Sequence, residues 1–207
     1  MNLPNKLTVL RLIMVPIFMV VMLIPAFANL SSNVEMILNI VGVLLFIAAS
    51  FTDMLDGKIA RKHGLVTDFG KFLDPLADKF MVIGAMLCIF YANSVAGNSA
   101  ISTVYFIALV VVIFRELAVT SIRLVASSSS GVVIAANILG KLKTVTQIVA
   151  VCAAIIEPII YNLCGLEGWV VTYPPMTMVM TVAMIYLTIH SGINYIVGAW
   201  KYLDPAK

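Results

Sequence analysis

The chain has 207 residues, 62% of them hydrophobic and 11% charged, with a formal net charge of +3 and a mean hydropathy of +1.07. Soluble domains carry about 25% charged residues, so this composition excludes an ordinary water-soluble globule and predicts an integral membrane protein. The modest positive charge, with no basic stripe interleaved with aromatics, argues against a nucleic-acid partner.

A membrane-crossing helix needs roughly 20 apolar residues. The chain therefore has room for six spans in one all-α domain covering residues 1–207, a polytopic membrane protein. The opening M-N-L-P-N-K-L-T-V-L-R has Pro4 at a helix start, and Leu7, Leu10 and Arg11 fit a short amphipathic segment at the membrane surface. The first span follows at about 12–28. Lys6, Arg11 and Ala26-Phe27-Ala28 also fit a signal peptide, but the run is long and further spans follow, which favours a retained helix. The remaining spans are predicted at about 34–61, 68–91, 101–126, 132–156 and 176–202. Ser127 to Ser130 with Gly131 read as a flexible connector, and Glu157-Pro158 with 161–175 as the longest outer loop. Cys88, Cys152 and Cys164 lack metal-ligand spacing and read as packed free thiols. His190, Asn194 and Tyr195 in the last span read as packing or interhelical hydrogen bonding.

All 13 Lys and Arg residues fall on the side that holds the N-terminus, the second and fourth connections and the C-terminus. The positive-inside rule then makes both termini cytoplasmic. The stretch from Asp53 to Asp78 lies on that face too. It holds five of the ten acidic residues and is flanked by long apolar runs. Asp53 and Asp56 are spaced i, i+3, and Asp74 and Asp78 i, i+4, so each pair shares a helix face. At 1.5 Å per residue Asp53 is roughly 28 Å from the start of its span, near the far membrane face. The two helices are expected to form an antiparallel hairpin that brings both pairs to one depth. Clustered carboxylates repel and raise each other's pKa, so a cation is expected among them. All-oxygen ligands suit Mg²⁺ or Mn²⁺, four carboxylates suffice for two ions, and such ions commonly bind substrate phosphates as well. A diphosphate substrate follows as a chemical expectation. Gly57 and Gly70 stand at positions where glycine costs about 1 kcal/mol, which fits either a nucleotide close to the backbone or tight helix packing. Arg61 has the fork geometry for a phosphate.

The pattern D53-x-x-D56-G57-x-x-A60-R61, eight residues, G70-x-x-x-D74-x-x-x-D78 resembles the CDP-alcohol phosphotransferase family at every fixed position. The resemblance implies that Asp53, Asp56 and Asp74 bind divalent metals. It implies that Asp78 is the general base on the acceptor hydroxyl and also touches a metal. Asp56, Gly57, Ala60, Arg61 and Gly70 would contact the CDP moiety. The hydroxyl would attack the β-phosphorus of a CDP-linked donor, and CMP would leave. A homodimer is implied as well.

Arg115, Arg123, Lys141 and Lys143 lie in the fourth and fifth spans near the same face. Buried cations need an anion, and Glu116 alone cannot balance four, so they predict a pocket for a phosphorylated acceptor. The alternative is that Glu116 and the Asp cluster neutralise some while the others snorkel. The opening N-L-P-N-K-L-T-x-x-R-x-x-x-x-P, F-R-E-L (Phe114 to Leu117) and G-K-x-K-T (Gly140 to Thr144) resemble the bacterial phosphatidylglycerophosphate-forming branch of the family. In that branch the donor is CDP-diacylglycerol and the acceptor sn-glycerol 3-phosphate, and Asn5, Thr8 and Arg11 would join the site. Two rivals remain. The same chemistry could serve inositol phosphate or phosphatidylglycerol as acceptor. A cation transporter would instead put the acids near mid-membrane on broken helices with an internal repeat, and no repeat is visible.

Overall fold

The computed structural model describes residues 2–28, 30–63, 67–130 and 138–200; within these, the side chains of Asp56, Lys58, Ala60 to His63, Lys71 and Ser127 to Ser130 lie outside the description. Seven helices form the described part: α1 Leu3–Phe27, α2 Ser32–His63, α3 Asp68–Val95, α4 Ser99–Ser130, α5 Ile138–Cys164, α6 Trp169–Thr172 and α7 Pro175–Ala199. Six stretches are long and apolar enough to cross a membrane, the last combining α6 and α7.

The helix starts follow local chemistry. Asn2 caps α1 by accepting a hydrogen bond from the Asn5 amide, and Pro4 occupies the first turn where its missing N–H is harmless. Thr67 caps α3 by accepting from the Gly70 amide at 3.1 Å, so Asp68 is a first-turn acid. The N-terminus of α7 has no cap of its own. Glu157 of α5 replaces it, accepting from the amides of Met176 (3.0 Å) and Thr177 (2.7 Å) and from the Tyr161 hydroxyl.

Several expectations need correcting. The N-terminal segment is not a separate surface helix. It continues into the first span as α1, and Asn5, Thr8 and Arg11 are buried because α3 and α2 supply polar partners for them. Glu157 and Pro158 are not in a loop. Their helix runs to Cys164, and Glu157 is buried because it caps α7. The helical backbone of α4 continues through Ser130 rather than yielding to a connector at Ser127; an established helix propagates at little cost even through serine. The expected start of the fifth span at 132 lies outside the described residues.

The core runs along the bundle axis and draws on every long helix: Phe18 of α1, Phe46 of α2, Met81 and Met86 of α3, Tyr105 of α4, Val151 and Ile155 of α5 and Met184 of α7. Outside it, side chains such as Phe114, Leu124, Val182 and Tyr186 are exposed, an apolar mantle suited to lipid. The packing order differs from a simple hairpin. Helices α2 and α3 scarcely touch; α1 is wedged against both, α5 packs on α2 and α7, and α4 joins α3 to α7. The two acid-bearing helices are therefore held together through α1.

Candidate active site

A cavity of about 890 Å³ opens where α2, α3, α4 and α5 meet. Asp53 of α2 and Asp74 and Asp78 of α3 line it, and so do Arg115 and Arg123 of α4 and Lys141 and Lys143 of α5. Seven of the residues singled out from the sequence thus share one space, although they come from four helices. The i, i+4 spacing of Asp74 and Asp78 gives them one face of α3, and Arg115 sits two turns before Arg123 on α4.

The acids are not equivalent. Arg11 of α1, fully buried, donates from Nη1 to Asp53 Oδ1 at 2.6 Å. Thr8, one turn earlier, donates to Asp74 Oδ1 at 2.6 Å. Asn5, one turn earlier again, accepts at Oδ1 from the Thr67 hydroxyl at 3.0 Å. Asp78 carries a buried oxygen, Oδ1, with no hydrogen-bond partner among the described residues. A buried carboxylate oxygen left unsatisfied is unfavourable, so this atom is poised for a cation or a donated proton.

The basic side is partly neutralised from within. Glu116 Oε1 accepts from Arg115 Nη1 at 3.0 Å and forms an ion pair with Lys143 Nζ. All three are largely buried. Arg123 packs over the Tyr195 ring at 5.8 Å and donates from Nε to the Tyr195 hydroxyl at 3.4 Å. Arg115 Nε remains a buried donor without a partner among the described residues. Glu116 thus neutralises part of the charge, as in the alternative reading, while one oxygen shared by Arg115 and Lys143 leaves donor capacity beside the cavity.

Other predicted residues are placed differently. Gly70 is buried, and a Cβ built on it would meet Asn5 Oδ1 at 3.1 Å and the Thr67 hydroxyl at 3.3 Å. Its small size is used at least by the approach of α1. Gly57 is half-buried on α2 and does not line the cavity. Asp56, Ala60 and Arg61 share the α2 backbone, but their side chains lie outside the described residues. Asn194 contacts His190 at 3.2 Å within α7, His190 stacks on Tyr186, and the thiols of Cys88, Cys152 and Cys164 are free.

Two residues were not anticipated. Lys79 lines the cavity and donates to the Thr120 hydroxyl of α4 at 2.6 Å. Thr67 joins the α3 cap to α1. The signal for Lys79 was present in the sequence, since a cation directly follows Asp78; Thr67 carried no signal until Asn5 was known to reach it.

The chemistry of the donors fits a hard divalent cation. Asp53 and Asp74 are each engaged through one oxygen, the Oδ2 atoms accept no hydrogen bond among the described residues, and Asp78 Oδ1 is unsatisfied. Among the described residues no three such side chains stand close enough to hold an ion, and the fourth acid of the pattern, Asp56, is outside them.

Comparison with known proteins places these residues in context. Residues 1–190 match the family model described as CDP-alcohol phosphatidyltransferase. The chain is 40% identical over 209 residues to the CDP-diacylglycerol--glycerol-3-phosphate 3-phosphatidyltransferase of Bacillus subtilis, covering 100% of this chain and 99% of that protein. It is 30% identical over 203 residues to the protein of the same name from Rickettsia bellii, covering 97% of each. A third relative of that name, from Wigglesworthia glossinidia brevipalpis, is 36% identical over 155 residues, 73% of this chain and 75% of its own. With the cavity's acids falling on the family's defining pattern and the match running from the first residue to the last long helix, the chain belongs to the CDP-alcohol phosphatidyltransferase family.

Proposed function

We propose that the protein transfers the phosphatidyl group of CDP-diacylglycerol to sn-glycerol 3-phosphate, giving phosphatidylglycerophosphate and CMP. The observation that carries this reading is the single cavity in which Asp53, Asp74 and Asp78 face Arg115, Lys141 and Lys143. The family accounts for the reaction type, and relatives similar along the whole chain bear names that specify donor and acceptor.

Arg115, Arg123, Lys141 and Lys143 bind the acceptor phosphate, with the unpartnered Arg115 Nε among the donors. This sets the acceptor hydroxyl beside Asp78. Asp78 takes the hydroxyl proton, the oxygen forms a bond to the β-phosphorus of the donor, and the bond to CMP breaks with its electron pair leaving on CMP. Asp56, Gly57, Ala60, Arg61 and Gly70 contact the CDP moiety. Two Mg²⁺ or Mn²⁺ ions, held by Asp53, Asp56 and Asp74 with Asp78, would neutralise the diphosphate and stabilise the attacking and leaving oxygens. The protein acts as a homodimer in the cell membrane, with both termini and the cavity on the cytoplasmic side. The grouping of its Lys and Arg residues supports that orientation.

The test is CMP release by purified protein in detergent with CDP-diacylglycerol and Mg²⁺. Glycerol 3-phosphate, inositol phosphate and phosphatidylglycerol are compared as acceptors. Release with glycerol 3-phosphate alone is expected. Release with phosphatidylglycerol alone would keep the acid site and discard the acceptor-phosphate assignment.

A further inference from the structure

Helix α1 buries one stripe of side chains: Asn5, Thr8, Arg11, Val15, Phe18 and Met22. The spacing of three and four residues is that of a single helical face. Its far part is apolar and enters the core. Its near part is polar, and each polar member meets one of the two acid-bearing helices: Asn5 the cap of α3, Thr8 Asp74 of α3, Arg11 Asp53 of α2. Since α2 and α3 scarcely touch each other, this stripe is the main connection between the two halves of the acidic motif.

Both contacts to the acids have the same form. Thr8 Oγ1 and Arg11 Nη1 each engage Oδ1, at 2.6 Å in both cases. Each carboxylate then keeps a second oxygen that accepts no hydrogen bond among the described residues, and both acids line the cavity. Thr8 and Arg11 are themselves buried and do not line the cavity; among the described residues they reach it through Asp74 and Asp53. Rotation of Asp53 or Asp74 would break a short bond to a helix that cannot retreat, because the same helix is anchored by Phe18 against Phe46 with ring centroids 5.6 Å apart. The close approach at Gly70 belongs to the same arrangement, since a Cβ there would push on Asn5 Oδ1.

We propose that Thr8 and Arg11 are positioning residues that fix the rotamers of Asp74 and Asp53, so that α1 determines the affinity of the acid cluster for divalent metal. The inference rests on the functional reading above, in which these acids hold metal. Partners of this kind, one bond removed from a metal, typically change affinity 10- to 100-fold when removed.

The direct measurement is Mn²⁺ binding to the full-length detergent-solubilised protein, read from the loss of the free-Mn²⁺ electron paramagnetic resonance signal. Thermal unfolding checks that each variant is folded. Thr8→Val, Thr8→Ala and Arg11→Lys are expected to weaken Mn²⁺ binding roughly 10- to 100-fold. Thr8→Ser, which retains the hydroxyl, is expected to stay near wild type. In turnover assays the same variants should need more Mg²⁺ for half-maximal rate while losing less at saturating Mg²⁺. Wild-type binding in folded Thr8→Val and Thr8→Ala, alongside its loss in Asp74→Asn, would overturn the role of Thr8 and leave the metal site standing. Wild-type binding in Arg11→Lys would likewise overturn the role of Arg11. Mn²⁺ binding that is absent from the wild type, or unchanged in Asp74→Asn, would overturn the metal reading itself and the proposal with it.

Discussion

The Thr8 hydroxyl on α1 donates a 2.6 Å hydrogen bond to Asp74 on α3, across 66 positions of sequence. With Arg11 on Asp53, it makes the first helix part of the acid site rather than a membrane anchor beside it. The candidate site thus draws on at least five helices, and its predictions can be separated by helix.

On α5, Lys143 shares Glu116 with Arg115. Lys143→Gln should raise KM for glycerol 3-phosphate about tenfold or more with a smaller change in kcat, because a charged hydrogen bond to phosphate is worth roughly 1.5–3 kcal/mol. Glu116→Ala should act differently. It leaves two buried cations without their shared anion, and loss of one partner of a buried pair typically costs about 3–5 kcal/mol. A fall in unfolding temperature in the Glu116 variant that exceeds the fall in Lys143→Gln would check this.

On α7, Gly192 lies under the stem of Arg115: a Cβ built there would stand 3.1 Å from Arg115 Cγ. Alanine requires only a small shift, whereas leucine must displace the arginine. Gly192→Leu should therefore raise KM for the acceptor and leave KM for CDP-diacylglycerol near wild type. Steady-state kinetics with each substrate varied in turn distinguish this from a general loss of folded protein.

At the opposite end of α5, Glu157 caps α7 through the amides of Met176 and Thr177. Glu157→Ala removes acceptors from buried donors, at about 1–3 kcal/mol. The prediction is a lower unfolding temperature with unchanged kcat and KM in the protein that remains folded, since Glu157 does not line the cavity.

Removal of divalent metal should abolish turnover. Dialysis against a chelator, followed by Mg²⁺ or Mn²⁺, is expected to restore the rate, whereas Ca²⁺ should restore it poorly because it favours longer bonds and higher coordination numbers. Full activity in the chelated protein would contradict a metal-assisted transfer.

Much of this organisation is written in local sequence. The six long helices are visible as apolar runs, and the carboxylate spacing already puts Asp74 and Asp78 on one face. The four cations of α4 and α5 were legible too, because charge in a membrane segment demands a partner. What local pattern could not show is the insertion of α1 between α2 and α3. An isolated amphipathic opening looks the same whether its polar side faces water or buried acids, so Arg11 reads first as a surface residue. Glu157 was misread for a similar reason. Beside Pro158 it looks like a loop acid, and only the uncapped start of α7, close in space but eighteen positions on, gives it a buried role. Pro158 itself is accommodated inside the helix.

The most direct measurement follows radiolabelled glycerol 3-phosphate into lipid. Purified protein is supplied with CDP-diacylglycerol and Mg²⁺, and organic-phase label is counted against CMP released, for wild type and Asp78→Asn. The account predicts label and CMP in equal amounts from the wild type. In the folded variant it predicts a rate lower by roughly 10²- to 10⁴-fold, the contribution expected of a general base. CMP release without label in lipid, or undiminished transfer by Asp78→Asn, would contradict it.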